Sequence, residues 1–471
     1  MNKKILTVYI IVVFLLLILP FAGMGVAPTT QTTENKELKE FPVLFSTDGG
    51  WNHRFLSDMG EYFEDHFAFR QELVSANAIL RSKVIKTSPE SQVLLGSGGW
   101  LYYSETTDDY QGTDMLSDRS LYNIAHTLSM MQDMTEALGS KFYYTVSPNK
   151  NSLYDAHMPY YYKKGSENNL DRLMLYLAEE GVSYIDLKSA FLKEEEVLYL
   201  KRDSHWNNKG AVLAYNTILD ALGKEHESYL NIPYEENTDY LGDLNTMLYP
   251  LGAKPELNYT WLKEETWQYT SEEKDVEGDW ISAANPQGTG SVLMYRDSFG
   301  NTLFPLFADE FENTYYTKLV PYSLADIVQY KPDYVVVERV ERRISSIIEE
   351  PPIMQGPAVQ LSAKETVDSD TSISTRMNGS YYMVEGIIDP EYIEEKSRIY
   401  ISVYPSGQPT GIAWEAYGTL ADSEDQEKRD CGYQLYLLEK NIPQGTDFDI
   451  EVIVSGQGGT YTVQKKTITN K

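Results

Sequence analysis

Residues able to do nucleophilic chemistry stand in two short segments, Arg202-Asp203-Ser204-His205-Trp206-Asn207-Asn208-Lys209-Gly210 and Val292-Leu293-Met294-Tyr295-Arg296-Asp297-Ser298-Phe299-Gly300. In the second, an apolar run ends in a polar dipeptide ahead of a helical pattern, so Ser298 falls at a strand-to-helix turn with its hydroxyl exposed. The N-terminus of the following helix would turn free N–H groups toward that serine, and such donors stabilise a tetrahedral oxyanion. The simpler alternative is that Asp297 or Ser298 only caps the helix.

A serine nucleophile needs a base of near-neutral pKa, and the imidazole in turn needs a carboxylate to fix its tautomer. His205 is the candidate base and Asp203 its carboxylate. Two residues apart in an extended segment, both side chains project to one side, whereas on a helix they would diverge. The pair is therefore expected in the loop before a helix over Ala211–Leu222, capped by Asn207 or Asn208, with Ser204 pointing away from both. An aspartate merely bonded to a surface histidine is the competing reading. Of the other histidines, His157 is the one rival, as a substrate contact. No H-x-x-x-H or comparable spacing suggests a metal site, and no cofactor is expected.

These residues need a rigid frame. Brief β-branched or aromatic runs at Phe142–Val146, Ser183–Ile185, Val292–Tyr295 and Tyr334–Val337 alternate with helical patterns at Leu121–Leu138, Leu170–Glu180, Ala211–Leu222 and Phe304–Phe311. That alternation predicts an α/β domain, a parallel sheet with helices on both faces. Ser147-Pro148-Asn149-Lys150 follows the first of these strands, at the ligand end of such a sheet, so Asn149 or Lys150 is placed to donate to an oxyanion or grip substrate. A solvent-facing proline turn is the alternative. Upstream, Phe55 to Leu80 recur at helical spacing as an amphipathic helix or pair. After Glu349, Pro351-Pro352 opens a polar stretch to Thr375, followed by about five strand-like segments, Ser380–Ile387, Arg398–Tyr404, Tyr433–Leu438, Asp447–Val454 and Tyr461–Ile468. These predict a small β-sandwich, either a carbohydrate-binding or a spacer module.

The chain of 471 residues carries 70 acidic and 40 basic side chains, a formal charge of −30 that argues against nucleic acid as a partner. Its one cysteine, Cys431, excludes an intramolecular disulfide framework. Its 37 tyrosines suit strand surfaces and sugar-binding clefts alike. Lys3 and Lys4 precede an apolar run from Ile5 to Ala22, the arrangement of an export signal. A run of this length also suffices for an uncleaved membrane anchor with its lysines inside, whereas Gly25-Val26-Ala27 would suit cleavage and release. The expected organisation is a signal or anchor segment over 1–27, a linker over 28–40, a catalytic domain over 41–350, a second linker over 351–375 and an accessory β-sandwich over 376–471.

Asp203-Ser204-His205-Trp206, Asp297-Ser298-Phe299 and Ser147-Pro148-Asn149-Lys150 with Tyr154 together resemble the alginate O-acetyltransferase (AlgX/AlgJ) and DHHW families of SGNH-hydrolase-like proteins. Phe63-Glu64-Asp65-His66-Phe67-Ala68-Phe69-Arg70 and Gly96-Ser97-Gly98-Gly99-Trp100-Leu101-Tyr102 resemble their N-terminal signatures, so the resemblance runs over roughly residues 41–345. It implies a flavodoxin-like SGNH fold in which Asp203 and His205 supply acid and base and Ser298 is the nucleophile. Two positions depart from the pattern. Arg296 replaces the glycine of the G-D-S block, where it would either crowd the oxyanion hole or bind substrate, and Ser204 replaces the first histidine of D-H-H-W. Trp206 is either a platform for a sugar ring or a core residue.

The resemblance further implies an O-acetyltransferase acting outside the cytoplasm on a cell-surface or secreted polysaccharide through an acetyl-serine. Because no acetyl-CoA is expected there, it also implies an acyl donor delivered by a membrane-bound O-acyltransferase. Water in place of the sugar acceptor would make the same residues an acetyl-esterase. A non-catalytic glycan-binding or scaffold protein would leave Ser298 and His205 far apart.

Overall fold

The computed structural model describes residues 3–30, 38–45, 50–361, 365–409, 411–423 and 425–469. Within the two expected linkers, 31–37 and 362–364 lie outside the described residues. The central sheet has seven strands in the order Tyr184–Ile185, Lys141–Ser147, Tyr334–Val340, Ser291–Tyr295, Asn313–Thr317, Trp280–Ala284, Gln268–Tyr269. The first five are mutually parallel, and Trp280–Ala284 pairs antiparallel with both of its neighbours, Asn313–Thr317 and Gln268–Tyr269. The sheet is thus mixed, a correction to the expected parallel sheet. The cause is a short connection: residues 285–290 between Trp280–Ala284 and Ser291–Tyr295 cannot hold the crossover of a dozen or more residues that parallel strands need.

Alternation along the strands buries both faces. Val292 and Met294 join one apolar core with Ala211, Tyr215 and Phe307, whereas Leu293 and Tyr295 join another with Leu121, Leu128 and Leu173. Successive side chains of a strand point to opposite faces, so a near-continuous apolar run marks a strand covered on both sides. The helix Asp118–Ala137 begins with Ser117 accepting from the Ser120 N–H, and Asn208–Leu222 begins with Asn207 accepting from the Gly210 N–H. Gly210 has no room for a side chain, since a Cβ there would lie 2.4 Å from the Leu198 carbonyl oxygen.

The amphipathic N-terminal segment forms two helices, Phe55–His66 and Arg70–Leu80, the second continuing into one π-helical turn, Arg81–Ile85. The apolar helix Lys3–Gly23 is long enough to cross a membrane. Its C-terminal end meets this pair: the Ala68 N–H donates to the Pro20 carbonyl, and Phe21 packs 5.6 Å from Phe63.

Beyond residue 357, β-strands pack around a core that includes Ile401, Leu435, Ile450 and Val452. The five expected strands are present, and Ser374–Asn378 and Ile412–Thr419 add to them. Ile412–Thr419 pairs with Arg398–Pro405 through its first half and with Gly432–Leu438 through its second. It thereby joins the two halves of one hydrogen-bonded strand path. His126 joins this region to the α/β part, with Nδ1 2.7 Å from Glu180 and Nε2 2.9 Å from Glu415.

Candidate active site

Three strand ends converge on the site. Lys141–Ser147, Tyr334–Val340 and Ser291–Tyr295 are adjacent and parallel, so the segments after them emerge together at the carboxyl edge, where open α/β sheets bind ligands. Asp297 fixes the turn after Ser291–Tyr295. Its Oδ1 accepts from the Phe299 N–H at 2.9 Å and its Oδ2 from the Val340 N–H at 2.6 Å. The aspartate is therefore the cap, which leaves the Ser298 hydroxyl to face the cavity. The following helix is one short 3-10 turn, Ser298–Asn301, and Asp297 consumes the Phe299 donor. The expectation of several free N–H groups at this terminus is reduced accordingly.

Asp203 and His205 lie in an irregular hairpin closed by the Leu200 N–H on the His205 carbonyl and the Asn207 N–H on the Leu198 carbonyl. Asp203 is buried, and its Oδ1 lies 2.7 Å from His205 Nδ1 while accepting the His205 backbone N–H at 2.8 Å. Its Oδ2 accepts from the Asp243 N–H at 2.9 Å and from the Tyr240 hydroxyl at 3.3 Å. Across the imidazole, His205 Nε2 is 2.8 Å from Ser298 Oγ. With the ring proton on Nδ1 and held by Asp203, the Nε2 lone pair accepts from the serine hydroxyl. The structure therefore joins Asp203, His205 and Ser298 in one hydrogen-bonded chain.

Burial alone pushes the His205 imidazole down, but the Asp203 carboxylate, its hydrogen bond and the charge of Asp243 outweigh that and raise it to about 8. Burial opposes ionisation of Asp203, yet His205 and the backbone N–H donors hold its carboxyl well below the usual range. The chain opens on a cavity of about 810 Å³ whose walls include Tyr103, Tyr240, Asp243, Asn301 and Arg342. Asp203, His205 and Asp243 also place three ligand-type atoms within 4.8 Å of one another. Here Asp203 is saturated by N–H and O–H donors, an arrangement suited to proton transfer.

Of the other expected site residues, Asn149, Lys150 and Arg296 are absent from the cavity walls, and Trp206 is among them. Lys150 is buried and donates to the carbonyls of Leu200 at 3.2 Å, Lys201 at 3.3 Å and Asp203. It holds the hairpin in place and does not reach the cavity. Burial lowers this ammonium to about 8 despite the nearby carboxylates. Asn149 is likewise buried, with its backbone N–H on Glu341 at 2.7 Å. Arg296 is absent from the cavity walls. Its guanidinium is fully buried and donates to Asn301 Oδ1 and to the carbonyls of Val276 at 2.8 Å and Gly278 at 2.9 Å. Trp206 packs in the core and also forms part of the cavity wall, its Nε1 donating to Thr302 at 2.7 Å and its ring stacked 5.8 Å from Phe191. His157 stacks on Trp100 at 4.5 Å, apart from the cavity walls.

Ser204 corrects a further expectation. Its hydroxyl does not point away, since it donates to Asp243 Oδ2 at 2.5 Å and lies 3.3 Å from His205 Nδ1. Asp243, Tyr240 and Arg342 are the residues that sequence reasoning missed. The first two belong to no local motif. Arg342 lies two residues beyond the strand Tyr334–Val340, as Asn149 lies two beyond its own, so the strand-end rule applied to Asn149 would have found it.

An α/β sheet with an Asp-His-Ser chain at its carboxyl edge defines a serine-hydrolase-like class. Residues 93–287 match the family model described as an SGNH hydrolase-like domain, acetyltransferase AlgX. The resemblance to AlgX is thus shown over a segment, less than half of the chain, that includes Asp203 and His205 and ends before Ser298. Among solved structures, Bacillus cereus PatB1 is 19% identical, covering 54% of this chain and 96% of its own at a TM-score of 0.43. The O-acetyltransferase domain of Pseudomonas putida AlgJ is 17% identical, covering 54% and 92% at a TM-score of 0.36. A DHHW family protein from Eubacterium siraeum is 15% identical, covering 47% and 86% at a TM-score of 0.39. No curated protein matches the chain.

Proposed function

We propose that this chain is an extracytoplasmic O-acetyltransferase that passes an acetyl group through Ser298 to a hydroxyl of a cell-surface or secreted polysaccharide. The observation that carries the reading is the continuous chain Asp203 Oδ1, His205 Nδ1, His205 Nε2, Ser298 Oγ, with links of 2.7 and 2.8 Å opening on the cavity. These are the distances that proton transfer needs.

In the first half-reaction, His205 takes the hydroxyl proton as Ser298 Oγ bonds to the acyl carbon of the donor. Asp203 stabilises the imidazolium. The tetrahedral intermediate collapses by breaking the bond to the donor's leaving group, which receives the proton from His205. An acetyl-serine remains. In the second half-reaction, His205 removes the proton of a sugar hydroxyl as that oxygen bonds to the acyl carbon of the acetyl-serine; the intermediate collapses by breaking the bond to Ser298 Oγ, which takes the proton from His205, and the acetylated sugar leaves. Water in the sugar's place gives the esterase.

The proposal extends to the frame of the enzyme. The helix Lys3–Gly23 anchors it to the membrane, residues 41–350 form the catalytic domain, and residues 376–471 form an accessory β-sandwich. The donor is delivered by a membrane-bound O-acyltransferase, as the resemblance implies. The test is mass spectrometry of the full chain incubated with a chromogenic acetyl ester, with and without a soluble oligosaccharide acceptor. A 42-dalton-class acetyl adduct on the Ser298 peptide, its absence in Ser298→Ala and acetylated oligosaccharide as product are the expected results. Undiminished turnover by Ser298→Ala would sink the proposal, and product release only to water would make the chain an esterase.

A further inference from the structure

A second cavity, of about 530 Å³, lies behind the hairpin that carries Asp203. Lys83, Lys86, Arg202 and Lys254 line it, and no aspartate or glutamate is among its lining residues. Among the described residues, none of the four forms an ion pair with a carboxylate. Glu256, on the same turn, is committed to the backbone N–H groups of Lys201 and Arg202 at 2.6 and 3.0 Å. In a chain of net charge −30, four cations around one concavity outweigh the neighbouring Glu256 carboxylate and create a local positive field that favours an anion.

The neighbouring surface narrows the choice of anion. Ile79, Ser82, Lys83 and Lys86, at the end of the helix Arg70–Leu80 and along the π-helical turn that continues it, form a stripe on one wall of the cavity. Beside that stripe, Leu80, Val84 and Ile85 are 56%, 70% and 58% exposed. A free anion or an anionic glycan has no use for such a margin. An edge of apolar side chains flanked by lysines is the signature of a helix lying at a bilayer interface. The helix begins at Arg70, two residues after Ala68 meets the end of the membrane-length helix at Pro20. Residues 70–85 extend roughly 24 Å from that junction at 1.5 Å per residue.

We propose that this basic cavity binds the phosphate headgroup of an anionic phospholipid while Leu80, Val84 and Ile85 enter the interface, giving the enzyme a second, headgroup-selective contact with the membrane. The inference rests on the membrane-anchored reading and on no catalytic assignment. Its occupant is the phosphate diester of a bilayer lipid.

Hydrogen exchange of the full chain in nanodiscs separates the alternatives. Phosphatidylglycerol discs are expected to slow exchange over residues 79–86 relative to phosphatidylcholine discs. Lys83→Gln and Lys86→Gln should each weaken the dependence on phosphatidylglycerol by about fivefold, leaving ester hydrolysis unchanged. Equal exchange in the two discs, or protection that survives both substitutions, overturns the inference. Inorganic phosphate or a soluble polyanionic oligosaccharide producing the same protection in phosphatidylcholine discs overturns the lipid assignment. A chain that does not enter discs refutes the anchor separately. It is then floated with phosphatidylglycerol vesicles, and absence of binding overturns the headgroup site.

Discussion

Asp243 Oδ2 stands 3.6 Å from His205 Nδ1, so the imidazole nitrogen that Asp203 holds at 2.7 Å has a second carboxylate beside it. Ser204 joins the two, donating to Asp243 and bordering the ring.

The pH dependence of acylation follows. His205 acts as a base only when neutral, and its pKa is raised to about 8, so acyl-enzyme formation is expected to rise with pH to a plateau above that value. In Asp243→Asn one of the negative charges that stabilise the imidazolium is gone. At this separation a screened charge amounts to about 1 kcal/mol, so the midpoint should move down by a fraction of a pH unit, with more activity retained on the acid side. Pre-steady-state acylation measured across pH checks this. A midpoint that does not move removes Asp243 from the electrostatics of the base.

The stability contribution of the Asp203–His205 pair has two limits. The raised His205 pKa contributes stability that is fully present below its ordinary 6.5 and lost as pH rises through about 8. The depressed Asp203 contributes stability present above its ordinary 3.8 and lost as pH falls through its folded value. The melting-temperature difference between the native chain and Asp203→Asn should accordingly be largest between those ordinary values and shrink on the alkaline side. A difference that is constant from pH 5 to about 9 would show that the pair adds no pH-linked stability.

Lys150→Met tests the assignment of that lysine as the support of the hairpin. Methionine fills similar volume but leaves the carbonyls of Leu200, Lys201 and Asp203 without their shared donor. The Lys201 carbonyl keeps the Leu101 N–H at 3.0 Å, but each buried carbonyl left unsatisfied costs about 1–3 kcal/mol, so a fall in melting temperature is expected. The acylation rate should fall as well, because the same hairpin carries Asp203 and His205. Loss of substrate affinity with stability unchanged would instead return Lys150 to the substrate.

Much of this frame was legible in the residues. Val292–Tyr295 and Tyr334–Val337 read as strands because apolar runs buried on both faces need no alternation. Asn207 announced its helix as a cap. Asn313–Thr317 and Trp280–Ala284 were not legible, since Asn-Thr-Tyr-Tyr-Thr and Trp-Ile-Ser-Ala-Ala have too few aliphatic side chains to stand out from a loop. At the site, Asp203, His205 and Ser298 were readable from residue type and order. The roles of Lys150 and Arg296 were not. A cation in a motif suggests a ligand, and only the carbonyls it meets in three dimensions reveal it as a brace. Asp243 was invisible for the same reason, since it lies 40 residues beyond Asp203 and meets the hairpin through tertiary contact.

Arg296 and Gly300 provide the sharpest packing test. The Gly300 backbone lies against the arginine stem, and a Cβ there would stand 2.7 Å from Arg296 Cδ and 2.8 Å from its Cβ. Arg296 cannot yield easily, because its guanidinium is tied to Asn301 and to the carbonyls of Val276 and Gly278. Gly300→Ala therefore overpacks the turn, at about 1–3 kcal/mol, and pushes on the segment that holds Ser298. Reduced melting temperature together with slower acylation is expected. Arg296→Gly in the same chain should relieve the clash while leaving Asn301 and the two carbonyls without their donor, so the double variant should acylate faster than Gly300→Ala alone yet remain less stable than the native chain. Equal stability of Gly300→Ala and the native protein would show that the turn has room to spare and that Arg296 does not govern the position of the nucleophile.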